Sequence, residues 1–553
     1  MTDELDARFW SLVEGRFDDI VQAFPVYATF LGIHTQDGLF GDGTRDAVEE
    51  HLAHEKRFLA QVEALDPAAL SEPVRFERDL AIYGAKRSIW DTEAHRVWER
   101  RSTAMDEVGD GIFAILARDF APLPERLASI ASRLEGVPKL LAEHRTRLGR
   151  RPVRTWNELE LESAKDMPSL FDQVVASGRA TWAEGSADLR RLEEAATRAS
   201  AAVEEYSAWL RGQDARATDD WALGGDLLDE LVSLRAFDGL TTDEILAIGW
   251  DQLEKNQQAR RDAARRVDSS ATEAEVVDRV KSNHPGTFEE ALEAYRSVMF
   301  DARQYVIDRD LATVPAGERL DVIPTPEYLR HVIPFAAYFE PPKFDANPSG
   351  IYIVTPSVDG DPRAMLEHYY AGISNTSIHE AFPGHHLQLS AAMHHPSLVR
   401  TLTDPPEFVE GWAMYCEQMM REEGFDTAPE SLVALSTDAI WRSCRIILDV
   451  RMHRGELTLD EATDFLAKHT SFERPQARAE ILRYTYTPTY QLSYLLGKVL
   501  LLRLREDEKR RLGTAFSLKQ FHDNLIYSGS LPISFHRRLL AGEGGGPSGP
   551  PAS

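Results

Sequence analysis

Helical periodicity is the feature that most constrains the fold of this chain of 553 residues. Between residues 189 and 210, apolar side chains recur at steps of three or four, with arginine and glutamate between them. They are Leu189, Leu192, Ala196, Ala199, Val203, Tyr206 and Leu210. This spacing places them on one face of a helix with 3.6 residues per turn. The pattern predicts a long amphipathic helix, and its prevalence predicts a mainly α protein.

Helix starts are also visible in the sequence. At three places a serine or threonine is followed three residues later by Glu or Gln, which is typical of a capped helix N-terminus. The pairs are Thr241 with Glu244, Thr458 with Glu461, and Ser517 with Gln520. These signals support the prediction that most of the chain is α-helical.

One segment interrupts the helical pattern. Prolines cluster between about residues 320 and 356, and the β-branched run at residues 351–355 predicts a short strand. Because the segment precedes a histidine-rich region, we expect it to line a cleft. If the strand has a free edge, Tyr352 and Ile353 would bind the backbone of an extended peptide. The alternative is a strand enclosed within a hairpin.

The length of the chain permits either one large domain or several smaller ones. We predict a single large helical domain over residues 1–541, with approximate lobes at 1–240 and 241–541. Residues 542–553 are rich in glycine, proline and serine, which predicts a disordered tail.

The charge balance indicates which partners to exclude. The chain has 62 basic and 90 acidic residues, giving a formal net charge of −28 at pH 7, without long runs of Lys or Arg. Nucleic-acid binding requires clustered cations, so it is not expected. No apolar stretch approaches the roughly 20 residues needed to cross a bilayer, so we expect no membrane partner either.

The N-terminus and the cysteines suggest a cellular location. The first six residues contain three acids and no basic segment leading into an apolar one, so we expect no secretory signal. Cys416 and Cys444 are too few for a disulfide framework, which fits a reducing compartment. We therefore expect a cytoplasmic protein, and the sequence does not predict its oligomeric state.

A cluster of histidines predicts a metal site. Of 17 histidines in the chain, five lie between residues 379 and 395. They are His379, His385, His386, His394 and His395. Neutral imidazole is the commonest nitrogen ligand for zinc. The alternative is a surface helix on which the histidines are incidental.

The spacing of these histidines differs from the familiar His-Glu-x-x-His motif. In that motif the two histidines share a helix face and the glutamate acts as general base. Here Pro383 stands where the second histidine would fall. Pro383 and Gly384 permit the helix to break, and a two-residue bulge would bring His385 to a metal beside His379. His386 is the alternative ligand.

A third ligand is expected downstream. Glu410 and Glu417 are seven residues apart, so they share one face of a helix. Val409, Trp412 and Ala413 surround Glu410 with apolar groups, and a buried carboxylate needs a partner or a metal. Glu410 is therefore the candidate ligand, unless it is an exposed carboxylate at a helix start.

These motifs resemble the bacterial domain-of-unknown-function family 885. Its hallmark is a His-Glu-x-x-Pro-Gly-His-His-x-Gln segment followed by Glu-Gly-Trp-Ala, which correspond here to residues 379–388 and 410–413. The resemblance extends over nearly the whole chain, including residues 29–34, 521–523 and 529–532.

The family is similar to the α-helical zinc peptidases that include thimet oligopeptidase, carboxypeptidase Taq and angiotensin-converting enzyme. This similarity implies a large two-lobed helical fold enclosing a cleft. It also implies one Zn²⁺ per chain, or Mn²⁺ or Co²⁺ in its place, with the ligands His379, His385 and Glu410. Glu380 would then be the general base.

One departure from the family pattern concerns substrate binding. Family members read Pro-Gly-Gln-x-x-Ser-Tyr where this chain has Thr489 and Tyr490 in place of the glycine and glutamine. The altered pair would lie beside Tyr494 without supplying a metal ligand. Tyr490 is therefore predicted to contact substrate.

The predicted activity is zinc-dependent hydrolysis of amide bonds in short peptides, with Glu380 moving a proton from water to the leaving amine. Tyr494 is the first candidate to stabilise the oxyanion, followed by His453 and Arg442. Two alternatives stay open. One is a metal-dependent hydrolase of a non-peptide amide or ester, and the other is a helical protein that binds peptides without catalysis.

Overall fold

The computed structural model describes residues 2–327, 330, 333, 335–356, 364–470 and 472–550. Over these residues the protein is mainly helical, with one small three-stranded sheet. The helices before the sheet are α1 (Thr2–Ala23), α2 (Pro25–Leu31), α3 (Arg45–Glu63), α4 (Glu72–Trp90), α5 (Val97–Arg100), α6 (Ala104–Leu116), α7 (Leu123–Arg147), α8 (Arg154–Thr181), α9 (Ala187–Arg211), α10 (Gly225–Arg235), α11 (Thr242–Val267), α12 (Glu273–Ser282) and α13 (Phe288–Asp308).

The sheet comprises β1 (Leu320–Pro324), β2 (Ala336–Phe339) and β3 (Gly350–Val354), in the order β1-β3-β2. Strand β3 pairs parallel with β1 and antiparallel with β2, and all five of its residues are buried. The predicted strand is therefore present, but it is the central one. The expectation that Tyr352 and Ile353 lie at a free edge is wrong, because both edges of β3 are paired.

In the part of the chain that the structure describes, ten further helices follow the sheet. They are α14 (Tyr370–Glu380), α15 (His385–Ala392), α16 (Leu398–Thr401), α17 (Pro406–Glu422), α18 (Pro429–His453), α19 (Leu459–His469), α20 (Arg474–Tyr484), α21 (Tyr490–Leu512), α22 (Leu518–Ile526) and α23 (Ile533–Leu540).

The capping signals in the sequence correspond to observed helix starts. The Thr241 hydroxyl accepts from the backbone N–H of Glu244, whose carboxylate accepts in turn from the Thr241 N–H. Thr458 makes the same reciprocal cap, and Ser517 accepts a hydrogen bond at the start of α22. The long amphipathic helix predicted from residue 189 lies within α9, and its apolar positions are buried. Local sequence thus fixes these boundaries.

The hydrophobic cores join distant parts of the chain. Phe9 of α1 shares a core with Leu539 of α23, and Trp156 of α8 shares another with Cys444 of α18. The predicted lobe boundary at residue 240 therefore does not separate the cores. Successive residues of β3 also face different cores, so the sheet lies between two helical layers.

The segment after α23 packs against the body of the protein. A side chain on Gly544 would approach Phe76 of α4 to 2.8 Å, and the Ser548 N–H donates to the Ser528 hydroxyl over 3.0 Å. The predicted disordered tail thus begins with residues that make specific contacts. Its last residues, 551–553, lie outside the described residues. None of the described helices has the length and apolar surface needed to cross a membrane.

Two buried histidines make the stability of the fold depend on pH. Burial lowers the pKa of both His453 and His522 from 6.5 to about 4. In the unfolded chain these two histidines bind protons from about pH 6.5 downward. In the folded chain they do not bind protons until about pH 4. The contribution of each histidine to the free energy of unfolding is expected to be constant above pH 6.5 and to fall by about 3 kcal/mol towards pH 4.

Urea unfolding between pH 7.5 and pH 4.5 measures this effect. The number of protons taken up on unfolding in that interval should be lower by one in His522→Gln than in the wild type. A His522→Gln protein with the same pH dependence of unfolding as the wild type would contradict the expectation.

Candidate metal centre

The histidine motif is split between two helices. Helix α14 ends at Glu380, and α15 begins at His385 after a four-residue turn. In this turn the Gly384 N–H donates to the Ile378 carbonyl over 3.0 Å. A Cβ atom on Gly384 would lie 1.8 Å from the carbonyl oxygen of His379, so only glycine fits. The turn therefore brings His385 back beside His379, as a break at Pro383 and Gly384 was predicted to do.

The turn is held by the second motif. Trp412 of α17 donates from its indole Nε1 to the Pro383 carbonyl over 2.8 Å, and the Cys416 thiol lies 3.5 Å from the same oxygen. Both side chains are fully buried. Helix α17 thus fixes the turn and also carries the glutamate that faces the histidines.

Three side chains converge at this point. The Oε2 atom of Glu410 lies 3.5 Å from His379 Nε2 and 3.3 Å from His385 Nε2. One ligand atom from each of the three residues lies within 4.8 Å of the others. Two ligands held about 2.0–2.1 Å from a tetrahedral metal lie roughly 3.4 Å apart, so the two distances from Glu410 Oε2 are compatible with a zinc site. Glu410 Oε2 is buried without a hydrogen-bond partner among the described residues, as expected of a ligand atom.

Glu417 orients one of these histidines. Its Oε1 accepts a hydrogen bond from His379 Nδ1 over 2.7 Å, and its Oε2 accepts from Asn375 over 3.0 Å. Burial raises the pKa of Glu417, but the hydrogen bond from His379 brings it below its usual value. A protonated Nδ1 leaves His379 Nε2 free to bind a metal, and such carboxylate partners raise the basicity of the ligand.

Glu417→Gln is expected to weaken zinc binding by about 10- to 100-fold, because glutamine cannot hold the Nδ1 proton as a carboxylate does. A competition titration against a chromogenic chelator measures this change. Glu430→Gln at the exposed start of α18 is the control and should match wild type. Equal zinc affinities for the two variants would contradict the role of Glu417.

Carboxylates give the site a negative field. Burial raises the pKa of Glu380, which lines the same cavity. Burial would also raise the pKa of Glu410, but its contacts with His379 and His385 hold it well below the usual range. Despite burial, Glu410 and Glu417 raise the pKa of His379 to about 10. This environment favours a bound cation.

Tyr490 contacts the candidate ligand directly. Its hydroxyl donates to Glu410 Oε1 over 2.9 Å and accepts from the Tyr494 hydroxyl over 3.4 Å. It thereby leaves Glu410 Oε2 to face the histidines. The prediction assigned Tyr490 to substrate, whereas its position shows contact with Glu410 as well as with the cavity.

Thr489, the other departure from the family pattern, lies in the left-handed region with φ of 65°. Threonine rarely adopts this conformation. Arg235 donates to the Thr489 carbonyl over 2.7 Å and to its hydroxyl over 3.0 Å, while Asp449 accepts from its N–H over 3.0 Å. These bonds fix the start of α21, from which Tyr490 projects.

The remaining predicted residues divide into two groups. Tyr494 and Arg442 line the cavity of about 340 Å³ that also contains the three candidate ligands. His453 is not among the residues that line it; this histidine is fully buried, with its Nε2 3.1 Å from the Tyr484 carbonyl oxygen. The prediction of His453 as an oxyanion donor therefore fails on position.

His386 points away from the candidate ligands. Its Nε2 lies 2.7 Å from Glu318 Oε2, and its Nδ1 lies 2.9 Å from the Tyr338 hydroxyl. It thus links α15 to strand β2, and His385 is the residue beside His379. The structure places the alternative ligand outside the cluster.

Strand β2 provides the cavity wall that was predicted for β3. Ala336, Ala337 and Tyr338 line the cavity, and β2 is an edge strand of the described sheet. Sequence reasoning missed β2, because its Ala-Ala-Tyr-Phe sequence lacks the β-branched residues that marked β3. Tyr352 and Ile353 are instead core residues.

Fold and site together define a helical protein with two histidines and a glutamate at metal-ligand spacing. The family of bacterial proteins of unknown function, DUF885, matches residues 25–540, and the chain belongs to this family. No curated protein compared with the chain matches it.

The solved structures that share the fold include two that are described as putative lipoproteins. One is a putative lipoprotein of unknown function from Shewanella oneidensis, with 23% sequence identity and a TM-score of 0.77 over 96% of this chain and 99% of that one. The other is a putative lipoprotein from Colwellia psychrerythraea, with 17% identity and a TM-score of 0.81 over 97% and 98%. At these identities the comparison shows the fold alone.

These comparisons contradict the prediction of a cytoplasmic location. Both similar structures are described as putative lipoproteins, a class of proteins that are anchored to a membrane outside the cytoplasm. The acidic N-terminal residues and the scarcity of cysteines had suggested the opposite. Those two features are too indirect to assign a compartment.

Proposed function

We propose that the protein is a zinc-dependent metallopeptidase that cleaves amide bonds of short peptides. The observation that carries this proposal is the convergence of His379, His385 and Glu410, with Glu380 beside them, in one cavity. A general base next to a ligand histidine is an arrangement that hydrolysis requires. Binding alone would have no use for it.

Zn²⁺ would supply a Lewis acid for the scissile carbonyl and would lower the pKa of water towards 7. Glu380 accepts a proton from the attacking water as the oxygen bonds to the carbonyl carbon. The C–N bond then breaks, and Glu380 delivers the proton to the amine. The hydroxyl of Tyr494, which lines the cavity, donates to the oxyanion of the tetrahedral intermediate.

A relationship to the α-helical zinc peptidases, including a two-lobed fold around a cleft, is part of this proposal. The motif His-Glu-x-x-x-x-His differs from theirs by two residues. The turn between α14 and α15 accommodates these residues and keeps His379 and His385 at ligand spacing. This local geometry supports the relationship.

The edge strand β2 suggests how a peptide is bound. An extended peptide can add to the free edge of a sheet through backbone hydrogen bonds. Ala336 and Ala337 line the cavity, and their side chains are small and alternate between the two faces of the sheet, so neither covers the backbone at the edge. Backbone pairing would make binding tolerant of the substrate's side chains.

A panel of dipeptides and tripeptides, assayed beside acylated amines and esters, tests this function. We expect hydrolysis of peptides that disappears with a chelator and returns with Zn²⁺. Activity confined to the acylated amines or esters would favour the alternative hydrolase. No hydrolysis of any compound by the zinc-loaded protein would contradict an enzyme.

We also propose that the protein acts outside the cytoplasm, on the strength of the two structures described as putative lipoproteins. Fractionation of cells that produce the protein from its natural gene tests this location. Recovery with a membrane or periplasmic fraction is expected, and recovery solely with the cytosol would contradict the proposal.

A further inference from the structure

A second group of charged residues lines the cavity apart from the candidate metal ligands. It contains four cationic and three acidic side chains: Lys281, Arg442, Arg445, Arg483, Glu367, Asp438 and Glu480. Lys281 lies 3.6 Å from Glu367, which accounts for one pair. The other three cations of this group, all arginines, are accompanied by two carboxylates, while the remaining lining carboxylates, Glu380 and Glu410, lie at the candidate metal centre.

Two of the arginines share one carboxylate. Arg445 donates to Glu480 over 3.1 Å, and Arg483 donates to both oxygens of Glu480 over 3.1 and 2.9 Å. The third, Arg442, lies 3.5 Å from Asp438. Within this group of seven residues, set apart from the candidate metal centre, the cationic side chains therefore outnumber the carboxylates by one. Such a surplus matches a ligand with one negative charge.

Several arginine N–H groups also lack partners. The side chain of Arg445 is only 3% exposed, yet its Nη1 makes no hydrogen bond with the described residues. The Nε atom of Arg442 is likewise buried and without a hydrogen bond in the described part of the chain, and its Nη1 atom has only the 3.5 Å ion pair with Asp438. A buried donor without a hydrogen bond lowers the free energy of unfolding, so such groups indicate that an acceptor is missing.

Aromatic rings hold both guanidinium groups in place. Arg442 and Arg445 lie over the ring of Trp441, at 4.0 and 4.2 Å from its centroid. Arg445 also lies over Tyr494 at 4.6 Å. A stacked guanidinium presents its edge N–H groups to a ligand, and a carboxylate matches that fork of donors.

We propose that Arg442 and Arg445 bind the free C-terminal carboxylate of the peptide substrate. This inference rests on the proposed function and narrows it, because it makes the protein selective for short peptides with an unblocked C-terminus. A carboxylate supplies the one negative charge and the acceptor atoms that the arginines lack. It also places the substrate in the cavity that contains His379, His385 and Glu380.

Three trialanine-based substrates distinguish the possible sources of the carboxylate. They are Ala-Ala-Ala, its C-terminal amide, and Ala-Ala-Asp amide, which carries its carboxylate on a side chain. We expect kcat/KM for the free acid to exceed that for the plain amide by about 10- to 100-fold. If Ala-Ala-Asp amide had a kcat/KM as high as that of the free acid, the arginines would not require a C-terminal carboxylate, and the proposal would be overturned.

Arg442→Gln should remove most of this preference, because it should lower kcat/KM for the free acid by about 10-fold more than kcat/KM for the plain amide. Arg474→Gln, at an exposed position of α20, is the matched control and should keep the preference. Thermal melts of both variants report whether the fold is intact. Equal losses on the acid and the amide by a folded Arg442→Gln protein would overturn the proposal.

Binding measurements separate this inference from the proposed function. Calorimetric titration of wild type and Glu380→Gln with Ala-Ala-Ala and its amide needs no turnover. Tighter binding of the free acid, with no hydrolysis of any peptide, would uphold the carboxylate site and contradict the peptidase. If Ala-Ala-Ala and its amide were hydrolysed equally fast and bound equally tightly, the result would uphold the peptidase and overturn the carboxylate site.

Discussion

Glu380→Gln is expected to lower kcat by about 10²- to 10⁴-fold while the protein keeps its zinc. Glutamine has nearly the same shape as glutamate but cannot accept the proton of the attacking water. Glu380 lies in the cavity next to His379 and is not one of the three converging ligands. The substitution should therefore remove the base without removing the metal.

Steady-state kinetics with a cleaved tripeptide, together with elemental analysis, measure both parts of this expectation. Glu254→Gln, an exposed position on α11, is the control and should leave kcat unchanged. A kcat for Glu380→Gln within about twofold of wild type would exclude Glu380 as the base. A peptide-binding protein without catalysis would be indifferent to the change.

Gly384→Ala is expected to destabilise the fold by more than about 4 kcal/mol and to abolish zinc binding. The new methyl group would lie 1.8 Å from the His379 carbonyl oxygen and 2.3 Å from that of Ile378. Both are backbone atoms at the end of α14, so relief requires that helix end to move. Such a movement displaces His379 from His385.

Urea unfolding and zinc content together test this expectation. Gly15→Ala in α1 is the matched control, because apart from its chain neighbours and the backbone of its own helix no atom lies within 4 Å of the new methyl group. It should stabilise the protein by up to about 1 kcal/mol, as alanine does within a helix. A Gly384→Ala protein with the stability and zinc content of wild type would contradict the described turn.

The helical part of the fold could be predicted because its signals are local. The cap at Thr241 and the apolar face of α9 depend on residues within a few turns of each other. The sheet could be predicted only in part. The residues of β3 indicated a strand, but pairing with β1 and β2 depends on distant segments, so its central position could not be deduced.

The candidate site shows the same division. Pro383 and Gly384 indicated a broken helix, but the choice between His385 and His386 depends on the direction in which the chain leaves the turn. Trp412, 29 residues further along, determines that path through its bond to Pro383. No local pattern contains this information.

The roles of other residues depend on whether their face of a helix is turned towards the cavity or towards the core. Glu417 was visible as a partner of Glu410 on one face, seven residues apart, but its contact with His379 was not. His453 carried suitable chemistry, yet its face of α18 packs into the core. Arg445, on the same helix, reaches the cavity and was missed. Helix orientation is a tertiary property, so residue type alone could not separate them.

Metal content, measured by elemental analysis of protein purified without chelators, tests the central claim most directly. We predict one zinc per chain in the wild type and in His386→Ala, and none in His379→Ala, His385→Ala or Glu410→Ala. This pattern would identify the three converging residues as the ligands. A wild-type protein that is metal-free and takes up no added zinc would contradict the metal centre and the hydrolytic mechanism built on it.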